Sequence, residues 1–219
     1  MSLTKDKQEI AIKRAHVALM KHPETALYSG VMLMGKSEVT DGKFTAYTDG
    51  VNKKYCRDYL KNRVQTDAKL RGLVLHENLH VALKQIPRHR DLNHDHKMLN
   101  YAMDFVVNDI IKCTDGVTGV NKERLVELPD GALYHPMFHD WSVRKVYDYL
   151  KQRKEELDKA DKNGNEPQPC PQQNNASSNG EDKDETDIDQ ALRNMDNGTD
   201  DHRFGEVQEM DAEQLKKLE

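Results

Sequence analysis

The chain has few cysteines, and none of them forms a recognisable pair. Cys56, Cys113 and Cys170 are an odd number in 219 residues and are widely spaced, with no Cys-x-x-Cys motif. This usage argues against a disulfide framework and against a zinc site built from paired thiolates. We therefore expect reduced, incidental thiols.

Long apolar runs and an excess of basic residues are also absent. No apolar run approaches the roughly 18 residues that span a bilayer, and the start of the chain lacks the apolar core of a signal peptide. A net charge of −5 argues against broad nucleic-acid binding. We expect an unsecreted, cytoplasmic protein with neither a membrane nor a nucleic acid as its partner.

One apolar, helix-forming stretch carries a His-Glu-x-x-His motif, formed by His76, Glu77 and His80. Positions i and i+4 of an α-helix lie about 40° apart around the axis, so both imidazoles project on the same side. Such a pair suits zinc, whose catalytic sites take three protein ligands and leave one position for water. Glu77 is placed to take a proton from that metal-activated water as a general base, which is the hydrolytic arrangement of zincin metallopeptidases.

The elements before the motif predict a helix followed by a small antiparallel sheet. Apolar residues at helical spacing favour a helix over Lys5–Lys21. Asp-Gly turns separate short β-favouring runs, including Val31–Met34 and Phe44–Thr48. The second run is our candidate for an edge strand that holds an extended peptide substrate. The motif helix itself should begin after an N-cap at Thr66 or Asp67 and end before Pro87.

A second long helix, predicted over residues 93–113, should supply the third metal ligand. Asn100, Asp104 and Asn108 recur at i, i+4 and i+8 as one polar stripe on an otherwise apolar helix. Asp104 is the only anion in the stripe, so we predict it as the third ligand. The amides would support the site or the helix packing.

Other residues compete for places in the site. Seven of the ten histidines lie between His76 and His139, and the competitors for the third ligand are His89, His94 and His96. Asp104 would then only brace a histidine. Further along, Ser142 is a plausible N-cap for a helix over residues 143–157. Three side chains precede this cap: Tyr134, His135 and His139. Each could contact the substrate or the oxyanion at the site, or could be an ordinary core aromatic or surface histidine.

These motifs together resemble a family described as a putative metallopeptidase domain, found in bacteriophage proteins and, in bacteria, ahead of a von Willebrand A-like domain. The similarity covers roughly residues 13–150 and preserves the order of four segments: residues 76–83, 99–108, 128–131 and 141–150. The resemblance implies a zincin-like fold, a His76, His80 and Asp104 metal set, and Glu77 as the catalytic carboxylate. If the protein is phage-encoded, its compartment is the host cytoplasm. The sequence departs from the two-domain members by having no room for the A-like domain, and from the usual helix continuation by Lys84-Gln85-Ile86-Pro87, where another His often appears.

Composition changes beyond residue 157. Residues 158–201 are rich in Pro, Gln and Asn and then in acidic residues, and are predicted to form a disordered linker. Residues 202–219 could form a short amphipathic helix or tail, and this acidic end of the chain is a possible docking segment for a protein partner. Residues 5–157 are therefore predicted to be a single α+β domain.

Two functions are consistent with the sequence. The first is a zinc-dependent metallopeptidase acting on peptide or protein substrates. The second is a zinc-stabilised, catalytically inactive protein-binding module on the same fold. The intact Glu77 favours the enzyme, since a purely structural metal site needs no general base.

Overall fold

The computed structural model describes residues 5–92, 95–114, 116–118, 122–163 and 185–196. In these ranges it is an α+β fold. The helices are α1 (Lys5–Lys21), α2 (Ser29–Met32), α3 (Arg57–Asn62), α4 (Asp67–Ala82), α5 (Gln85–Arg88), α6 (His96–Cys113), α7 (Val143–Asn163) and α8 (Ile188–Asp196). The strands are β1 (Ser37–Thr40), β2 (Ala46–Thr48), β3 (Lys53–Cys56), β4 (Val117–Thr118) and β5 (Glu123–Arg124). No helix in the described part of the chain has the length and apolarity to cross a membrane.

The core of the first half lies between α1, α4, α6 and the three-stranded sheet. Helix α1 has the predicted limits and turns Ile12, Ala15 and Leu19 inward. These side chains pack with Val74, Leu75 and Leu79 of α4 in one buried cluster. Because α4 is buried on nearly all sides, its polar motif residues are held inside the protein.

The sheet differs from the antiparallel one that the sequence predicted. Its strand order is β1-β3-β2, in which β2 and β3 are antiparallel but β1 and β3 are parallel. The Asp49-Gly50 turn forms the expected hairpin, with Asp49 Oδ1 accepting from the backbone N–H groups of Val51 and Asn52. Strand β1 pairs with β3 in the parallel direction. Strand β3 is therefore the central strand, and β1 and β2 are the two edge strands. The expected strand over Val31–Met34 is also wrong, since that run begins in helix α2.

Helix α4 begins as predicted but ends sooner. The Thr66 side chain accepts from Lys69 N as the N-cap. At the other end, Lys84 adopts the left-handed conformation (φ 50°) and separates α4 from the short helix α5. Pro87 lies within α5, because the first turn of a helix needs no backbone N–H from that position.

A segment that leads to the site crosses α4 at Gly72. A Cβ atom there would lie 1.9 Å from the backbone oxygen of Glu127, so only glycine admits this close approach. Nearby, Arg71 donates from Nε to Leu125 O (2.5 Å) and from Nη2 to Arg124 O (3.0 Å). These contacts fix the segment whose continuation, Pro129–Leu133, lies over the motif helix.

The second half is organised by α6 and α7, which pack on each other. Asp95 caps α6 by accepting from Met98 N, and Ser142 caps α7 by accepting from Lys145 N, the latter as predicted. Both helices begin within a few residues of their predicted starts. Helix α7, however, continues to Asn163 rather than ending near residue 157.

The structure also differs from the predicted linker over residues 185–196. Helix α8 buries four apolar side chains, Ile188, Ala191, Leu192 and Met195, in the same cluster as α6 and α7. Buried Arg153 of α7 anchors it with two hydrogen bonds to Asp189, of 2.7 and 2.6 Å. The composition of residues 158–201 as a whole gave no indication of this short amphipathic helix. The rest of the predicted linker and the expected tail over 202–219 lie outside the described residues.

Candidate metal centre

Three side chains from two helices converge on one point. His76 and His80 project from α4, and Asp104 faces them from α6. Asp104 Oδ1 lies 3.5 Å from His76 Nε2 and 3.2 Å from His80 Nε2, and the two Nε2 atoms are 2.9 Å apart. All three potential ligand atoms lie within 4.8 Å of one another. The structure thus brings together the residues that the i, i+4 pair and the polar stripe predicted.

Both imidazoles are oriented from behind by side-chain amides. His76 Nδ1 donates to Asn108 Oδ1 (2.8 Å), and His80 Nδ1 donates to Gln85 Oε1 (2.5 Å). The Asn108 amide is itself oriented, since its Nδ2 donates to Leu133 O at 2.8 Å. A proton held on Nδ1 leaves Nε2 as the acceptor, which is how metal-binding histidines are commonly prepared.

The donor set fits a transition-metal ion. Around a tetrahedral zinc with bonds of about 2.0–2.1 Å, neighbouring nitrogen and oxygen ligands lie about 3.3 Å apart. The separations here, 2.9 to 3.5 Å, bracket that value. With Nδ1 of each ring already donating, the two Nε2 atoms, 2.9 Å apart, need a proton or a metal cation between them.

The electrostatics of the cluster also favour a positive charge at this point. Burial lowers the pKa of His76, but the hydrogen bond and charge of Asp104 more than offset this and raise it to about 9. Burial and the neighbouring His76 lower the pKa of His80. A proton and a divalent cation therefore compete for the space between the two Nε2 atoms and Asp104 Oδ1.

Glu77 lies beside the three potential ligands without being one of them. Its side chain is buried and lines the same cavity as His76 and Asp104. Burial raises the pKa of this carboxyl to about 7, with His76 opposing the rise and Asp104 adding to it. A nearby divalent cation would favour the carboxylate form.

The cavity in front of the cluster has a volume of about 280 Å³. One wall is formed by Thr45, next to β2, and by Tyr59 and Arg63 around α3. Residues 129–133 also line the cavity, and Asn108 donates to Leu133 O in this segment. Two of the three potential ligands, His76 and Asp104, line this cavity together with Glu77.

Of the other predicted candidates, those that the structure describes neither line the cavity nor belong to the cluster. His96 is exposed at the first residue of α6, two turns from Asp104, and His94 lies outside the described residues. His135 contacts Glu185 (3.0 Å), and His139 contacts Asp109 (3.2 Å).

Two backbone hydrogen bonds hold Tyr134 beside the α8 segment. Its N–H donates to Thr186 Oγ1 and its oxygen accepts from Thr186 N. Its side chain is partly buried against the core cluster of the first half, with Lys112 Nζ 5.3 Å from the ring centroid.

Sequence reasoning missed Gln85 as an orienting residue. It lies five positions after His80, so a continuous helix would place it on a different face. The left-handed turn at Lys84 returns the chain toward the site. The burial of Gln85 is a feature of the fold, and no local sequence signal indicates it.

The comparisons with known proteins give one match. A family model described as a putative metallopeptidase domain matches residues 8–218. This match extends well beyond residues 13–150, where the resemblance was recognised, and includes the region of α8. No curated protein and no solved structure matches the chain.

Proposed function

The chain belongs to the putative metallopeptidase domain family, and on that premise we propose that it is a zinc-dependent peptidase in which Glu77 is the general base. The observation that carries the proposal is the convergence of three acceptor atoms at the wall of a cavity that also contains a buried carboxylate. A binding module would have no use for that carboxylate.

His76, His80 and Asp104 would hold the metal ion. Three protein ligands with an open position are the pattern of catalytic rather than structural zinc sites. Zinc, when bound, supplies a Lewis acid that acidifies water and polarises the scissile carbonyl. Asn108 and Gln85 keep the two imidazoles in the tautomer that binds a metal.

Glu77 would move the proton during hydrolysis. It follows His76 directly on α4, so it faces the cavity from the same helix as two of the ligands. Its carboxylate oxygen takes a proton from the attacking water and delivers it to the amine that leaves.

We further propose a zincin-like arrangement in which a substrate peptide pairs with β2. This strand is an edge of the sheet, and Thr45 beside it lies in the cavity wall. Thr45 O accepts from Cys56 N, and Asp49 N donates to Asn52 O, so these residues turn their backbone toward β3. Since such positions alternate in an antiparallel pair, the backbone groups of Ala46 and Thr48 point outward. Ala46 and Thr48 are buried, at 5% and 1% exposed, so an extended peptide would reach their main-chain groups only after the covering chain moves aside.

A peptide-library digest analysed by mass spectrometry tests this function. Zinc-loaded wild-type protein should cleave peptides, and a chelator should stop the cleavage. Glu77→Gln keeps the size of the side chain but removes the base, so the rate should fall by about 10² to 10⁴ at unchanged zinc content. Glu38→Gln, an exposed glutamate on the opposite edge strand, is the matched control and should keep full activity.

Two results would contradict the proposal. If Glu77→Gln cleaves as fast as wild type, Glu77 is not the base. If zinc-loaded wild type cleaves no peptide or protein but retains intact partners in a binding assay, the protein-binding module becomes the better description.

A further inference from the structure

A second group of potential metal ligands lies at the C-terminal end of α6. Asp109 and Cys113 are four residues apart, so their side chains share one face of the helix. Asp109 follows Asp104 by five residues, which places it about 140° around the axis and about 7.5 Å along it. This group therefore faces away from the candidate peptidase site.

The third member comes from the loop that leads into α7. His139 Nδ1 lies 3.2 Å from Asp109 Oδ2 and 3.7 Å from Cys113 Sγ. Cys113 Sγ lies 4.0 Å from Asp109 Oδ1. One carboxylate, one thiol and one imidazole thus approach a common point, and all three potential ligand atoms lie within 4.8 Å of one another.

These separations fit tetrahedral zinc. With Zn–S bonds of about 2.3 Å and Zn–N or Zn–O bonds of about 2.0–2.1 Å, ligand atoms lie about 3.3 to 3.6 Å apart. The observed 3.2, 3.7 and 4.0 Å need only small rotations to meet this geometry. A thiolate and an imidazole together favour zinc over calcium or magnesium, which prefer oxygen ligands.

A second carboxylate lies beside the other nitrogen of the His139 ring. Asp140 Oδ2 lies 3.4 Å from His139 Nε2, on the far side of the ring from Asp109 and Cys113. In metal sites the second nitrogen of a histidine ligand commonly donates to a carboxylate, and Asp140 is near enough to take this part when the metal is bound. The backbone of Asp140, at φ 58°, donates from N to Asp109 Oδ2 at 3.4 Å, which ties the loop to the same group.

We propose that Asp109, Cys113 and His139 form a second zinc site, separate from the candidate peptidase site. Asp109 is buried, whereas Cys113 and His139 are exposed, so the remaining coordination position is open to solvent. Bound zinc fastens the loop at His139 and Asp140 to the end of α6 and so fixes the start of α7. The proposal is independent of the peptidase function and stands if that function fails.

Cobalt substitution distinguishes the two sites, because only the second contains sulfur. The wild-type chain titrated with Co²⁺ should bind about two ions and show a thiolate-to-cobalt charge-transfer band in the near ultraviolet. Cys113→Ser and His139→Ala both change exposed side chains. Each should lower the stoichiometry to about one ion, and Cys113→Ser should abolish the band.

Two controls fix the assignment. His80→Ala should lower the cobalt stoichiometry but keep the band, because it alters only the sulfur-free site. Cys170→Ser should change neither quantity. The proposal is overturned if wild type shows no charge-transfer band, if the band survives Cys113→Ser, or if Cys170→Ser removes it. In those cases the group is an Asp–His ion pair beside an ordinary thiol.

Discussion

The Nδ1 atom of His80 donates a hydrogen bond of 2.5 Å to the Oε1 atom of Gln85, across the turn that ends α4. Gln85 is buried, yet its Nε2 atom has no hydrogen-bond partner among the described residues. Burying the Gln85 Nε2 group without a partner costs free energy. We infer that the hydrogen bond from His80 to Gln85 Oε1 is the reason why this residue is tolerated there.

Substitutions at Gln85 should therefore show whether zinc binding depends on the side-chain oxygen or on the rest of the side chain. Gln85→Leu removes the acceptor and should weaken zinc binding by about 10- to 100-fold, the usual effect of losing such a support. Gln85→Glu keeps an oxygen for His80 and replaces only the unpaired amide, so it should bind zinc about as well as wild type. Zinc titration against a competing chelator measures both. Equal affinities for the Leu and Glu variants would show that the hydrogen bond does not orient His80 for zinc.

Lys53 should make the stability of the fold depend on pH. Its ammonium is buried under the sheet, where it donates to Val31 O (3.1 Å) and Met34 O (2.7 Å), and burial lowers its pKa to about 8. Between this value and the pKa of about 10.4 in an unfolded chain, the unfolded state binds more protons. The contribution of Lys53 to the free energy of unfolding therefore increases as the pH rises from about 8 to about 10.4.

The comparison needs a variant that cannot titrate. Urea unfolding of wild type and Lys53→Met at pH 7 and pH 10 gives the difference in unfolding free energy, in which other titrating groups largely cancel. This difference should shift in favour of wild type at the higher pH. A constant difference, or a shift toward the Met variant, would contradict the account of Lys53.

Helix α8 should be part of the stable fold. Leu192 is 1% exposed and packs in the α6–α7 cluster, so Leu192→Ala should lower the free energy of unfolding by about 2 to 5 kcal/mol. Gln190→Ala, at an exposed position of the same helix, should change it by less than about 0.5 kcal/mol. Chemical denaturation of the full chain measures both. Similar small effects at the two positions would mean that α8 does not contribute to the core.

The sequence predicted the three potential ligands because they depend on periodicity within single helices. The i, i+4 spacing alone places His76 beside His80, and the polar stripe places Asp104 on one face of α6. The packing of α4 against α6 could be expected because both helices have apolar residues that must be buried. The structure has brought the three together within hydrogen-bonding range.

Features set by long-range contacts were not predictable in the same way. The parallel pairing of β1 with β3 and the docking of α8 depend on residues far apart in the chain. The position of Gln85 depends on the left-handed conformation of Lys84, which a lysine seldom adopts and no local motif announces. Local turn chemistry correctly predicted only the hairpin at Asp49-Gly50.

Zinc stoichiometry in a Cys113→Ser background tests the central claim most directly, because that change removes the proposed second site. Equilibrium dialysis and elemental analysis should find about one zinc per chain, and adding His80→Ala or Asp104→Ala should reduce it to near zero. Adding His96→Ala, an exposed histidine on the same helix as Asp104, should leave the single zinc in place. Retention of zinc after His80→Ala, or its loss after His96→Ala, would contradict the assignment of His76, His80 and Asp104 as the metal centre.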